Sequence, residues 1–520
     1  MRARQGFKRS VYLVLNLPFL TRFFAATILI AGACAPTAGT ENAQERTPPA
    51  EPYNIVLIVA DDLGVNDVGY NGNPAIATPR LDALATHGAV FRNAYASSPV
   101  CATSRAGLLT GVYQQRFGME SNPSPRRLAA RTVLDDPGAE MAPEVLGDPP
   151  HEERGLPPEA VTIAERLKDA GYKTAHIGKW HLGSADGYTP NDQGYDEFYG
   201  FLGGASMFAE RDDPDVVGAQ LEWNGLDNFL WERLSYSLQR NGESQPERPY
   251  QTDAFGAAAR DFISKAGGAP FFLSIAFNAP HNPLQAPKDL VAQQPEALPH
   301  RNRVYYAMIE SLDRNIGVVM DELERTGLRD RTIVIVTSDN GGAAYIRIDD
   351  VNSPFRGFKA NFWEGGVRVP LVVDVPGAAP ADVDEPVSLL DLAPMIFNAA
   401  GVEAERLDGH SPLAATAGPR TLAWRNNTLS AVRRGDWKLI RDAKRDRNWL
   451  YNLKKDPEEH HNLAETRPDM VAKLTAEYER ATADWPTKPA WGPTYYLPVH
   501  ADPVENPIEA ENDDWTYWPG

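Results

Sequence analysis

Apolar runs alternate with amphipathic segments over most of this chain. Apolar runs predict buried strands at 53–60, 270–277 and 332–337, and further strands are predicted at 173–177, which is short, and at 369–375. Apolar residues at helical spacing predict helices between them, one starting at Pro79 and others over 160–170 and 304–323. Strands that alternate with helices are typical of an α/β fold, so we expect a large, mixed and mostly parallel sheet with helices on both faces.

The pattern changes after about residue 415. Short strands with polar residues are followed there by a helical pattern over 468–482. We therefore expect a main domain over 53–415 and a smaller C-terminal subdomain over 416–490, made of an antiparallel sheet and a helix. Residues 491–520 form a tail that is rich in aromatic residues and proline.

The first 33 residues have the pattern of an export signal. Positive charges precede the apolar run over 23–33, which is too short to span a bilayer as a helix. Small residues lead into Cys34, as in the lipobox of bacterial lipoproteins, so Cys34 is a candidate for lipid modification. We predict a signal peptide over 1–33, a flexible tether over 34–52 and a periplasmic or outer-membrane-anchored protein. The alternative is ordinary signal cleavage and secretion, with Cys34 incidental.

Composition narrows the classes of function. The 520 residues include 51 Lys and Arg against 70 Asp and Glu, which gives a net charge of −19. Such an acidic chain is a poor candidate for broad nucleic-acid binding, although a local basic pocket could still bind an anion. The only two cysteines, Cys34 and Cys101, do not make a disulfide framework. Any membrane contact is expected only through the lipid anchor.

Oxygen-bearing side chains follow two of the predicted strands. Asp61 and Asp62 come directly after the first strand, and Asp339 and Asn340 come after the strand over 332–337. Open α/β sheets bind ligands at the carboxyl ends of their strands. Hard oxygen ligands favour Ca²⁺, with Mg²⁺ possible, over zinc. Taken singly, each acidic strand end could instead cap a helix.

The segment from Ser98 to Gly111, SPVCATSRAGLLTG, carries the most specific signal. It resembles the signature of the type I sulfatases of the alkaline phosphatase superfamily, in which a cysteine precedes a serine, an arginine and Leu-Thr-Gly. Further blocks resemble this family in the same order, at 61–64, 178–183, 195–200, 278–281, 338–341, 363–366 and 450–463. The resemblance covers about 53–465 and implies an alkaline-phosphatase-like fold, with 53–415 as the catalytic domain.

The family resemblance implies that Cys101 is oxidised to formylglycine (3-oxoalanine) by a formylglycine-generating or anaerobic sulfatase-maturating enzyme. The hydrated aldehyde then serves as the nucleophile. The resemblance also implies metal ligation, with Ca²⁺ as the usual ion, by Asp61, Asp62, Cys101, Asp339 and Asn340. Thr103 stands where most members have proline; we expect conversion to occur nevertheless, because threonine also favours extended backbone.

The family resemblance also implies catalytic roles for five basic residues. Arg105 would support the formylglycine hydrate, and Lys179 would hold a sulfate oxygen. His181 would act as base, and we expect it on the same face of an extended segment as Lys179. His281 and Lys359 would contact the bridging oxygen and protonate the leaving alcohol, with Arg356 as a competitor of Lys359.

The implied reaction is hydrolysis of sulfate esters, and an exported enzyme would meet sulfated polysaccharide fragments. Selectivity is expected in the loops over 119–156 and 203–250, and the tail either stacks on sugar rings or packs across the body. One alternative is a phosphodiesterase or phosphonate monoester hydrolase on the same scaffold. Another is a non-catalytic lipoprotein that binds sulfated glycans with Cys101 unmodified.

Overall fold

The computed structural model describes residues 52–123, 130, 138–144, 147–348, 350–412, 419–502 and 513–520. The predicted signal peptide, Cys34 and most of the tether lie outside these residues, as do parts of the loop over 119–156. No helix in the described ranges combines the length and apolarity needed to cross a bilayer.

The strands of the described residues are β1 (Asn54–Asp61), β2 (Ala89–Phe91), β3 (Ala94–Tyr95), β4 (Glu140–Met141), β5 (Lys173–Lys179), β6 (Glu197–Phe201), β7 (Val216–Ala219), β8 (Gln239–Arg240), β9 (Glu243–Ser244), β10 (Phe271–Pro280), β11 (Leu284–Pro287), β12 (Thr332–Ser338), β13 (Leu371–Asp374), β14 (Ala381–Val383), β15 (Val387–Ser388), β16 (Thr421–Asn426), β17 (Leu429–Arg434), β18 (Trp437–Asp442), β19 (Arg447–Asn452), β20 (Tyr495–His500) and β21 (Trp515–Pro519).

The α-helices of the same residues are α1 (Pro79–His87), α2 (Cys101–Thr110), α3 (Ile163–Asp169), α4 (Gly225–Arg233), α5 (Gln251–Lys265), α6 (Lys288–Gln293), α7 (His300–Arg325), α8 (Glu364–Val367), α9 (Leu392–Ala400) and α10 (Pro468–Ala481).

The main sheet has the strand order β14-β2-β13-β12-β1-β10-β5-β6-β8-β9. Its centre is parallel, because β12, β1, β10, β5 and β6 all run in one direction, whereas β13 runs antiparallel to β12. Side chains of β1 alternate between two core clusters, with Ile58 in one and Leu57 in the other. Helices α5 and α7 cover the first face, and α3 and α9 cover the second. The mixed, mostly parallel sheet between helix layers is thus confirmed.

A separate antiparallel sheet, β16-β17-β18-β19, follows along the chain and packs against α10. It is joined to the main body by buried charges. Lys438 of β18 is fully buried and its Nζ lies 2.7 Å from Glu364 Oε1 and 3.0 Å from Glu459 Oε1. Glu364 also accepts hydrogen bonds from the Tyr95 hydroxyl at 2.5 Å and from Arg368 at 3.2 Å. The 363–366 and 450–463 blocks of the sequence therefore meet in one buried ion cluster.

The tail packs across the body of the protein. Strand β20 pairs with β21 on one side and with β4 on the other, and the indole rings of Trp491, Trp515 and Trp518 are buried. Backbone contacts connect the tail to the loop that carries Lys359, since Gly357 N donates to Ala501 O at 2.7 Å. Of the two predicted roles of the tail, the packing role accounts for these three rings.

Candidate active site

Four parallel strands bring four predicted site residues to one edge of the main sheet. Asp61 ends β1 and Lys179 ends β5, while His281 directly follows β10 and Asp339 directly follows β12. Because these strands are neighbours that run in one direction, their carboxyl ends meet, which is where open α/β sheets place ligand sites.

The end of β1 lets two consecutive carboxylates enter the same pocket. In a regular strand Asp61 and Asp62 would point to opposite faces. The register of β1 against β10 shifts between Val59 and Asp61, and Asp62 adopts the left-handed conformation with φ 64°. As a result Asp61 Oδ1 and Asp62 Oδ1 lie 3.3 and 3.8 Å from Cys101 Sγ.

Cys101 is the first residue of α2, and its side chain is buried. The first turn of α2 contains no acidic residue, so the helix N-terminus places positive potential near the sulfur, although one of its N–H groups, that of Ala102, donates to Asn122 Oδ1 at 3.1 Å. Burial, and then the charge of Asp61, raises the pKa of the Cys101 thiol well above its usual value. An unmodified thiol therefore stays protonated here and is a weak nucleophile. Thr103 is buried in the same turn, with its hydroxyl 2.6 Å from Ser98 Oγ.

Three cations match the three carboxylates of the pocket. Lys179 Nζ lies 2.6 Å from Asp61 Oδ2, and Lys359 Nζ lies 2.8 Å from Asp62 Oδ1. Arg105 contacts the third carboxylate, with Nε 2.8 Å from Asp339 Oδ2. Because these charges balance, a divalent cation would give the pocket an excess of positive charge, which favours an anionic substrate.

Neighbouring charges and burial shift the pKa values of these groups. Burial raises the pKa of Asp62, but Lys359 and His281 outweigh this effect and hold the pKa of Asp62 well below its usual range. Burial raises the pKa of Asp339 to about 6, although Arg105 opposes the shift. Burial alone would lower the pKa of Lys359, yet Asp62 raises it well above the usual value, so Lys359 keeps its proton.

The two histidines of the pocket are neutral. Burial, followed by the charge of Lys359, lowers the pKa of His281 to about 3. Its Nδ1 lies 2.5 Å from the carbonyl oxygen of Asn282, which can only accept, so the proton of the neutral ring is on Nδ1. The bare Nε2 faces Asp62 Oδ2 at 3.6 Å.

His181 differs from its expected backbone conformation. It adopts φ 63°, so the backbone is not extended at this residue, and the shared face with Lys179 stays a prediction. Burial, and then the charge of Lys179, lowers the pKa of His181 well below its usual value. Its Nδ1 is buried without a hydrogen-bond partner among the described residues.

The carboxylate and amide oxygens of the pocket fit a hard cation, whereas the Cys101 sulfur and the His281 imidazole are softer donors. Ligand atoms of Asp61, Asp62, Cys101 and His281 lie within 4.8 Å of one another, a grouping found in a search of the described residues. Asn340 donates from Nδ2 to Asp62 Oδ1 at 2.8 Å, while its Oδ1 is buried with no partner in the described structure.

Two of these placements differ from the ligand set that the sequence implied. His281 stands among the possible ligands. Asp339 does not belong to that group of four, and its Oδ2 is held by Arg105 at 2.8 Å. Its role as a ligand stays a prediction.

Sequence reasoning did not identify three polar residues that form a hydrogen-bonded chain leading away from Asp62. The Tyr345 hydroxyl lies 3.3 Å from Asp62 Oδ2 and donates to Asn282 Oδ1 at 3.0 Å. Asn282 in turn donates to Asp227 Oδ1 at 2.6 Å. The adjacency of Asn282 to His281 was the one available signal. Arg356, the predicted competitor of Lys359, instead pairs with Asp502 outside this pocket.

Comparisons with known proteins agree with this geometry. A family model described as Sulfatase matches residues 53–402. Rat (Rattus norvegicus) steryl-sulfatase is 31% identical over an alignment of 412 residues that covers 67% of this chain and 67% of that protein. Mouse (Mus musculus) N-acetylgalactosamine-6-sulfatase is 31% identical over an alignment of 404 residues that covers 75% of this chain and 72% of that protein.

A solved structure shows the same fold along most of its length. The crystal structure of Ps i-CgsB in complex with k-i-k-neocarrahexaose is 30% identical, with a TM-score of 0.71, and covers 85% of this chain and 95% of its own. Together with the family match, this confirms the resemblance drawn from the sequence blocks. The chain belongs to the sulfatase family and is a sulfuric ester hydrolase.

Proposed function

We propose that this enzyme removes sulfate from sulfated carbohydrates, and that its substrates are oligosaccharides derived from polysaccharides. Two similarities support the proposal. Ps i-CgsB is similar over 95% of its length and was solved with a carbohydrate hexamer, and the mouse relative is named for a sulfated amino sugar. The balanced cations and carboxylates of the pocket provide the setting that a singly charged sulfate ester requires.

We infer that Cys101 is converted to formylglycine, whose hydrate supplies one hydroxyl to attack sulfur and a second to expel the sulfate afterwards. A divalent cation, Ca²⁺ or Mg²⁺, would be held by Asp61, Asp62, Asn340 and the modified Cys101, with His281 or Asp339 in addition, and would polarise a sulfate oxygen. The observation that carries this proposal is the position of Cys101 Sγ, 3.3 Å from Asp61 at the N-terminus of α2.

The remaining steps fall to side chains of this pocket. Lys179, Arg105 and the first turn of α2 hold the sulfate oxygens, because all three direct positive charge or N–H groups toward Cys101. Lys359 keeps its proton beside Asp62 and donates to the leaving oxygen. His181 is neutral and has an unpartnered ring nitrogen, so it can accept the proton of the second hydroxyl.

Mass spectrometry and sulfate release test this proposal together. The peptide that contains Cys101 from protein of the native host should lack sulfur and carry a carbonyl group. Cys101→Ala should abolish sulfate release, whereas Cys34→Ala, the matched change at the other cysteine, should not. Chelation should stop release, and added Ca²⁺ should restore it. An intact thiol in fully active protein would contradict the mechanism.

The same assay separates the rival reactions. A phosphodiester with the same leaving alcohol as the sulfate ester should turn over more slowly; faster turnover would favour the phosphodiesterase alternative. Binding of sulfated glycans without any sulfate release would favour the non-catalytic alternative.

We also propose that residues 1–33 direct export and that Cys34 carries a lipid. Labelling with a fatty-acid analogue should be lost in Cys34→Ala. Unlabelled wild-type protein in the medium would indicate ordinary secretion.

A further inference from the structure

A tryptophan is exposed beside the candidate active site. Trp223 lies in the segment between β7 and α4, and 39% of its surface is accessible. Its indole Nε1 donates to the backbone oxygen of Tyr345 at 3.0 Å, and the Tyr345 hydroxyl lies 3.3 Å from Asp62. One tyrosine therefore connects the exposed indole to a predicted metal ligand.

Two arginines accompany this indole. The guanidinium carbons of Arg347 and Arg301 lie 4.9 and 5.4 Å from the centroid of the Trp223 ring. Arg301 also donates to the backbone oxygen of Arg347, at 2.9 Å from Nη2. Neither arginine forms an ion pair with a carboxylate in the part of the chain that the structure describes. In a protein with a net charge of −19, two such cations at one indole make a local anion-binding surface.

Local backbone features add to this positive surface. Arg301 is the second residue of α7, a helix of 26 residues whose first turn contains no acidic residue and no side-chain cap. The N-terminus of such a helix carries positive potential. Arg347 adopts the left-handed conformation with φ 51°, a conformation that a non-glycine residue keeps only where its surroundings hold it.

The surface is held rigidly relative to the pocket. Asp227 accepts from Leu221 N at 2.7 Å and from Asn282 Nδ2 at 2.6 Å, and Asn282 accepts from Tyr345. The segments that carry Trp223, His281 and Arg347 are thus tied together by one hydrogen-bond network. A ligand that bridges the pocket and Trp223 would meet a preformed surface, which reduces the entropy cost of binding.

We propose that Trp223, Arg301 and Arg347 form a subsite for a second, anionic sugar ring of the chain whose sulfate ester occupies the catalytic pocket. This inference rests on the proposed function. The exposed part of the indole packs against the C–H groups of the ring, and the guanidiniums bind its anionic group. The planar arginine fork matches the geometry of a sulfate or of a carboxylate.

Three oligosaccharides with different second rings distinguish these anions. In ι-carrageenan tetrasaccharide the neighbouring ring is sulfated, in κ-carrageenan tetrasaccharide it is neutral, and in a chondroitin sulfate tetrasaccharide it carries a carboxylate. Three proteins are compared: wild type, the double variant Arg301→Ala/Arg347→Ala and the single variant Trp223→Ala. For each protein, the kcat/KM measured with each oligosaccharide is divided by the kcat/KM of the same protein with an aryl sulfate. Each variant should lower this ratio at least tenfold for an oligosaccharide with an anionic second ring, and KM should change more than kcat.

A matched control comes from another arginine next to an indole. Arg467 lies 5.3 Å from the Trp437 ring centroid, near the start of α10, and Arg467→Ala should leave all ratios unchanged. For Arg301→Ala/Arg347→Ala, an equal loss for the neutral and anionic second rings would overturn the subsite, and so would no loss in either variant.

Calorimetric titration with the same tetrasaccharides keeps the two proposals separable. If wild type releases no sulfate from any ester, the proposed function fails. The subsite is overturned independently if the variants bind the anionic tetrasaccharides as tightly as wild type does.

Discussion

Lys438 provides a direct measure of how buried charges join the C-terminal sheet to the main body. Its ammonium group is fully buried between Glu364 and Glu459, at 2.7 and 3.0 Å. Lys438→Met keeps most of the side-chain volume and removes the charge, which leaves two carboxylates without their shared partner. Breaking a buried ion pair by removing one partner typically costs about 3–5 kcal/mol.

This loss of free energy can be converted into a change in melting temperature. The unfolding entropy of proteins is about 2.1 cal/mol/K per residue. For a unit that spans Pro48–Gly520, each kcal/mol of lost unfolding free energy therefore lowers the melting temperature by about 1 °C. Differential scanning calorimetry should therefore show Lys438→Met melting about 3–5 °C below wild type. Adding Glu459→Gln to this variant should recover part of the loss, because it removes one of the two uncompensated charges.

An exposed lysine supplies the control. Lys168 and Asp196 are 2.8 Å apart, and each side chain is 46% exposed. Exposed pairs contribute about 0–1 kcal/mol, so Lys168→Met should melt within about 1 °C of wild type. If Lys438→Met melts no lower than Lys168→Met, the buried cluster is not a source of stability and the reasoning is wrong.

Two further predictions concern the pocket and the pH dependence of stability. Lys359→Met should lower kcat/KM for sulfate release by about 10²–10³ through loss of a charged donor, whereas Arg356→Met, which breaks the pair with Asp502, should mainly lower the melting temperature. Equal losses of kcat/KM would contradict this assignment. Burial, and then the charge of Glu364, raises the pKa of Glu459 to about 7, although Lys438 opposes the shift. The folded state thus holds this proton more tightly than the unfolded state, so its contribution to stability is complete below about pH 4.5 and is lost as pH rises to about 7. In urea unfolding, Glu459→Gln should be more favourable relative to wild type at pH 8 than at pH 5, and a constant difference would refute the shift.

The sequence predicts the central strands well because they are buried on both faces. In β1, β10 and β12 every position is buried and most are apolar, so the apolar run itself marks the strand. Burial also makes some helices difficult to predict from the sequence. Helix α9, with the sequence LAPMIFNAA, is apolar on most sides and contains a proline, so its helical period is lost. Helix α5 was not predicted either; small residues such as Gly256 weaken its pattern.

Some residues of the candidate active site could likewise be predicted from the sequence, and others could not. Residues at strand ends, such as Asp61, could be located because a parallel sheet collects the carboxyl ends of its strands. The position of Tyr345 could not, since it depends on contacts with residues 62 and 282, far away in sequence. The proton position on His281 likewise depends on one backbone carbonyl that only the folded structure places next to the ring.

The burial of Cys101 has a consequence for timing. Its side chain is 1% exposed, and the whole of α2 is enclosed by the sheet and its neighbours. An enzyme that oxidises this thiol cannot reach it once the body has closed around α2. If Cys101 is converted to formylglycine, as proposed above, the conversion has to precede folding, and we expect that maturating enzyme added to protein that is already folded would not activate it.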